Sequence, residues 1–225
     1  MDWEALLLTL KLDVVVCGLL LVMGVPIAFW LASSRWRWKF LLEAVVALPL
    51  VLPPTVLGFY MLLAMGPKSP LGRMYGWIWG HGLPFTFGGL VIASMVYSLP
   101  FMVQPISAAF AAVDPKLTAA SAVLGASRWR TFFRVVLPLS SSGLLTGVVL
   151  TFAHTLGEFG VVLMVGGNIP GVTRTVSISI YDNVQALDYS SAGQTSLVLL
   201  VASFVILSVV YAINRPSSSI WPARR

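Results

Sequence analysis

The chain has 225 residues, of which 58% are hydrophobic and only 10% charged, with a mean hydropathy of +0.90. Such a composition excludes a soluble globular domain of this length and places the chain in a lipid bilayer. The net charge of +6 does not point to nucleic acid, because the basic residues gather at the ends of apolar runs, where the expected partners are anionic membrane lipids.

The sequence opens MDWEALLL, with Asp2 and Glu4 where a secretory leader carries basic residues, so no cleaved signal peptide is expected. Apolar runs of about 20 residues read as bilayer spans at 14–31, 41–65, 89–112, 144–165 and 196–213. They predict an all-α integral membrane fold, a single domain over 1–225 with five transmembrane helices. Cys17, the only cysteine, lies inside the first run without a disulfide partner and reads as a packing residue.

An odd number of spans separates the termini. With the N-terminus outside, the inner side holds Arg35, Arg37, Lys39, Lys116, Arg128, Arg130, Arg134, Arg215, Arg224 and Arg225, leaving Lys11, Lys68, Arg73 and Arg174 outside. This excess of inner basic residues predicts an external N-terminus and a cytoplasmic C-terminus.

The second run, LPLVLPPTVLGFY at 48–60, contains Pro49, Pro53 and Pro54. Each removes a helical hydrogen bond and frees carbonyls that hydrocarbon cannot satisfy, so this span is expected to break and to line a pathway wall, with Thr55 and Gly58 just after the break. Pro100 and Pro105 argue the same way for the third span. Of the two outer connections, 66–88 carries Trp77, Trp79 and Phe85 among glycines and proline, a composition for the membrane interface. The other, 166–195, opens with turn formers and has a short helical segment at 175–185.

Between the third and fourth spans lies DPKLTAASAVLGASRWRTFFRVVLP (114–138), a polar, arginine-bearing interruption. Asp114 can cap a helix that starts at Pro115, and Leu117, Ala120, Ser121 and Leu124 share one face at i, i+3, i+4 and i+7. Gly125 ends that helix. Ser127 can cap a second, with Trp129, Phe132, Phe133 and Val136 as its apolar stripe and Arg128, Arg130 and Arg134 on the polar side. A helix-turn-helix handle for a cytoplasmic partner is predicted.

The fourth span carries His154 and Glu158, four residues apart and so on one helix face, read as a buried ionisable pair that pairs, neutralises or faces a wet interior. The other spans are taken to hold no ionisable residue at depth, which favours a structural or gating role over a proton relay. Gly143, Gly147, Gly157 and Gly160 suit close helix approach, and this span is expected at a dimer interface. Thr55, Thr151 and Thr155 are the candidate pathway hydroxyls, able to solvate an anion weakly. The chain has no GxxxxGK[ST] loop for ATP phosphates, no HExxH and no metal-ligand spacing, so no catalytic residue, cofactor or metal is assigned to it. An ion-coupled secondary transporter is the competing class, and it calls for coupling carboxylates at mid-membrane.

The run Ala119-Ala120-Ser121, three residues, Gly125, nine residues, then Val135-x-Leu137-Pro138 resembles the EAA loop of permease subunits of binding-protein-dependent ABC importers. The resemblance implies a type I importer permease fold in which Ala119, Ala120, Ser121 and Gly125 contact a cytoplasmic ATPase, with Arg128 on that partner or at the inner leaflet. Ala119 replaces the glutamate that names the motif. The segments 48–60, 152–171 and 173–185 extend the likeness to the molybdate-importing members. This likeness implies a homodimer in the bacterial inner membrane, two cytoplasmic ABC ATPase subunits that hold ATP and Mg, and a periplasmic molybdate-binding protein. Tungstate, sulfate or another oxyanion is the alternative cargo.

Overall fold

The computed structural model describes residues 2–213, all of whose regular elements are helical. Arg215, Arg224 and Arg225, counted above among the inner basic residues, lie outside the described residues. Helix α1 (Trp3–Ser33) begins where the Asp2 carboxylate accepts a hydrogen bond from the Ala5 N–H at 3.0 Å. It runs eleven residues upstream of the expected first span and reaches about 46 Å at 1.5 Å per residue, enough to cross a bilayer. Lys11, inside the helix, sets its Nζ 4.7 Å over the Phe87 ring, where the face of the ring attracts the cation.

After α2 (Lys39–Val51) the chain breaks at Leu52 and Pro53 and restarts as α3 (Pro54–Met65), bent by 115°. Pro53 cannot continue the ladder, whereas Pro54 at the first turn of α3 has no N–H to lose. Helix α4 (Pro70–Trp79) comes next, and then α5 (Phe87–Ala111), which stays one helix despite Pro100 and Pro105. The polar interruption forms α6 (Pro115–Val123) and α7 (Arg128–Thr131), which continues through a π-helical turn, Phe132–Val136, into α8 (Leu137–Leu139). The wider turn accommodates Pro138, which lacks the N–H of a regular ladder.

The expected fourth span is divided. Helix α9 (Ser141–Leu156) ends at Gly157, and α10 (Gly160–Gly166) begins after a turn. Helix α11 (Val176–Gln185) is tied to α1 by a 2.8 Å bond from the Val176 N–H to the Thr9 hydroxyl. Last comes α12 (Tyr189–Ile213). At its start Asp188 accepts from the Ser191 N–H at 3.0 Å, and hydrogen bonds from Ser191 hold its carboxyl below the ordinary carboxylate range. Helices α1, α5 and the 189–209 part of α12 are long and apolar enough to cross a membrane; counting α2 with α3, and 128–139 with 141–156 (bent by 69°), as one span each gives up to five, so the fourth span is drawn from 128 to 156 rather than from 144 to 165.

Two cores result. One joins Leu12, Val16 and Leu20 of α1 to Leu90, Met102, Val103 and Ile106 of α5. The other joins Leu57 and Met65 of α3 to Val161 and Val165 of α10, with Leu83 and Ala93. The glycines of α9 serve the first core rather than a contact between copies. A methyl group on Gly143 would overlap Ala109 and lie 2.9 Å from the Pro105 carbonyl oxygen, and one on Gly147 would lie 3.0 Å from that of Met102. Gly160 is packed as tightly, against Pro54. The expectation that this small-residue stripe meets a second copy is corrected for these three positions: the close approach they permit is spent inside the protomer. Cys17 is buried against α9, its thiol 3.8 Å from the Val148 carbonyl oxygen.

Candidate functional site

The hairpin α6–α7 is built from local signals. The Asp114 carboxylate accepts from the Lys116 N–H at 2.8 Å, and Pro115 opens α6. At the far end Gly125 takes φ +77°, and the N–H groups of Gly125 and Ala126 bond back to the carbonyls of Ala122 and Ser121, a Schellman closure that calls for a residue without Cβ. Ser127 then accepts from the Arg130 N–H to start α7. A 2.8 Å hydrogen bond between the Ser121 and Thr131 hydroxyls clasps the two helices.

No residue of α6 or α7 is buried. Val123 and Leu124 are 88% and 86% exposed and Trp129 74%, beside Ala119, Ala120, Gly125 and Arg128, which are also exposed; Ser121 is half-buried in the clasp. The hairpin therefore presents a contiguous apolar tip with a basic flank, a surface of the kind that marks a protein contact. Behind the tip, the Phe132 ring packs 4.8 Å from Phe29 and 5.9 Å from Phe110. Phe132 thereby joins the hairpin to the ends of α1 and α5.

The pathway candidates do not share a surface. Thr55 is exposed on α3, whereas Thr151 and Thr155 are enclosed within the chain. Thr155 shares the Ser98 hydroxyl, at 2.9 Å, with Nδ1 of His154, also at 2.9 Å. The His154 ring is stacked on Phe101 at 4.1 Å and edged against Tyr97 at 4.5 Å.

Glu158 is not joined to His154, since neither of its oxygens has a hydrogen-bond partner. The i, i+4 geometry fails because α9 stops at Leu156 and Glu158 sits in the turn beyond it. Its carboxyl, 4% exposed, lies instead within electrostatic reach of Asp13, a fully buried residue of α1. Ser94 lies beside Glu158 without completing a hydrogen bond to it. Sequence reading missed Asp13 by starting the first span at Val14. The signal was there: a carboxylate directly beside a long apolar run, one residue before Val14.

At the end of the molecule opposite the hairpin, Arg174 donates from Nε to Asn168 at 2.6 Å and pairs with Asp182 at 3.3 Å and Asp2 at 3.9 Å. These groups edge an open polar depression of about 660 Å³ lined also by Ser179, Asn183 and Gln185.

A long helix with its partner, two broken helices packed on each other and an exposed helical hairpin make up an all-helical domain with helices long and apolar enough to cross a membrane. The family described as "Binding-protein-dependent transport system inner membrane component" matches residues 24–217, and the chain belongs to it. It is 51% identical over 214 residues to "Molybdenum transport system permease protein ModB" of Azotobacter vinelandii, covering 95% of both chains. To the protein of the same description from Escherichia coli (strain K12) it is 39% identical over 224 residues, 99% of this chain and 94% of that one. Among solved structures, a bacterial alginate ABC transporter in complex with alginate pentasaccharide-bound periplasmic protein superposes with a TM-score of 0.77 at 18% identity, over 94% of this chain and 77% of that one. The all-α membrane fold expected from the sequence is the type I importer permease fold observed here.

Proposed function

We propose that this chain is the permease subunit of an ABC importer for molybdate, forming the transmembrane pathway as a homodimer while two cytoplasmic ATPase subunits supply the energy. The observation that carries the substrate is the 51% identity to the Azotobacter vinelandii ModB permease along nearly the full length of both chains. In this reading α6–α7 enters a groove of the ATPase through Ala119, Ala120, Gly125 and the exposed leucine tip, with Arg128 on its flank. The external N-terminus then puts the Asp2–Arg174–Asp182 depression on the periplasmic side, where a molybdate-binding protein docks. ATP and Mg belong to the ATPase, and this chain assigns no residue to them.

The geometry supports alternating access. When the two ATPase subunits close, they draw the paired hairpins together. Phe132 passes that displacement to Phe29 and Phe110, and so to the inner ends of α1 and α5. The breaks at Leu52–Pro53 and at 157–159 are places where the span can bend without loss of a regular ladder. Thr55, exposed on α3, is the hydroxyl placed to meet an anion between two copies; Thr151 and Thr155 act within the protomer.

Uptake into membrane vesicles made with this chain, its ATPase and its binding protein tests the reading. Molybdate entry that tungstate competes and sulfate does not is the expected result. Entry of sulfate alone would retain the importer and reassign its cargo; ATP-independent entry driven by an ion gradient would overturn both.

A further inference from the structure

Three side chains from two helices and one turn lie together inside the protomer with no partner of their own: Asp13 of α1, Ser94 of α5 and Glu158 between α9 and α10. Asp13 and Ser94 are wholly inaccessible and Glu158 nearly so. All five of their side-chain oxygens lack a hydrogen-bond partner. Native interiors leave very few such groups unpaired, so five in one neighbourhood mark a site that holds something besides protein.

Charge decides what it holds. Two ionised carboxylates enclosed within a membrane protein repel one another and have lost their hydration, and neither loss is recovered without a positive charge between them. Among the described residues no basic side chain supplies it. Lys11 of α1 is spent on the Phe87 ring, and His154 of α9 is held by Ser98 and sandwiched by Phe101 and Tyr97. The remaining titratable neighbours are Cys17 on α1, facing Asp13, and Tyr97 on α5, facing Glu158; α10 carries none. Among the described residues no group of three or more His, Cys, Asp and Glu side chains is arranged to hold a metal ion.

We propose that Asp13 and Glu158 constitute a buried proton-binding site, one carboxylic acid and one carboxylate sharing a proton, with Ser94 and internal water completing the hydrogen bonds. The site sits at the junction of the two cores. Asp13 belongs to the α1–α5 body, and Glu158 is in the turn that leads into the α10–α3 body. The shared proton ties the broken span to the rigid pair while removing half of the negative charge that would repel an oxyanion nearby. Its existence does not depend on which anion is carried.

The test is infrared difference spectroscopy on the assembled complex in lipid at neutral pH, wild type minus variant. A carbonyl stretch from a protonated carboxylic acid is expected in the wild type, shifted in D13N and in E158Q and absent from D13N/E158Q. Absence of that band from the wild type, or its survival in the double variant, would overturn the proposal. A second measurement needs no variant: the thermal midpoint of the wild-type complex in sodium, potassium or choline chloride at equal ionic strength. Equal midpoints are expected, and stabilisation by sodium or potassium would overturn the proton in favour of a metal cation.

Discussion

Gly125 connects backbone geometry to coupling, and substitutions there separate two effects. Its φ of +77° is a left-handed conformation, and a Cβ added there meets nothing within 4 Å. Gly125→Ala therefore costs the backbone about 1–2 kcal/mol without any clash inside the chain. Neither α6 nor α7 has a buried residue to hold the turn against that cost, and only the Ser121–Thr131 clasp opposes it. The population of the closed hairpin, and with it ATPase docking, should fall by up to about 5–30-fold. Gly125→Asn, whose side chain tolerates this conformation, should fall between wild type and alanine. Gly125→Trp carries the same backbone cost as alanine, so any further loss measures contact with the partner alone. The assay is a titration of the ATPase against the permease in lipid nanodiscs, with the thermal midpoint of the permease as a control that should stay constant. Wild-type affinity in all three variants would remove Gly125 from coupling altogether, and equal losses in alanine and tryptophan would leave the turn but remove the partner from that face.

The packing sets further outcomes. Ser98→Ala strips a partner from both His154 and Thr155, and about 1–3 kcal/mol for each group left unsatisfied should appear as a lower thermal midpoint of the purified permease. Gly143→Ala overpacks the α5–α9 contact by about 1–3 kcal/mol; adding Ala109→Gly should restore part of the loss, because the Pro105 carbonyl still crowds the new methyl. Arg174→Gln removes two partly exposed ion pairs worth about 0–1 kcal/mol each, together with the bond to Asn168, so stability should fall only modestly while stimulation by the binding protein falls. Thr55→Val should lower uptake at constant expression, whereas Thr151→Val, enclosed in the protomer, should act on stability instead.

Where the signals were local, they were legible. Asp114 with Pro115, Gly125 and Ser127 mark the hairpin by caps and a left-handed turn, each decided within four residues of chain. Pro53 likewise announces the break before α3. The break at 157–159 was not legible, because glycines in a membrane run read as packing and the apolar pattern continues through Val165. Nor does a small-residue stripe carry the address of its partner: Gly143 and Gly147 could have met a second copy, and only the tertiary fold assigns them to α5. The same holds for His154, whose partner Ser98 lies 56 positions away. An i, i+4 spacing joins it to Glu158 only where the helix continues, and the helix stops two residues short. Asp13 escaped for a simpler reason, since a span drawn from Val14 leaves out the carboxylate just before it.

ATP hydrolysis by the complex of this chain and its ATPase, reconstituted in liposomes with the binding protein, is the most direct test of binding-protein-dependent import. Stimulation by binding protein loaded with molybdate, and its loss in Gly125→Trp, is the expected result. Failure of the ATPase to associate with the permease, or hydrolysis indifferent to the loaded binding protein, would overturn it.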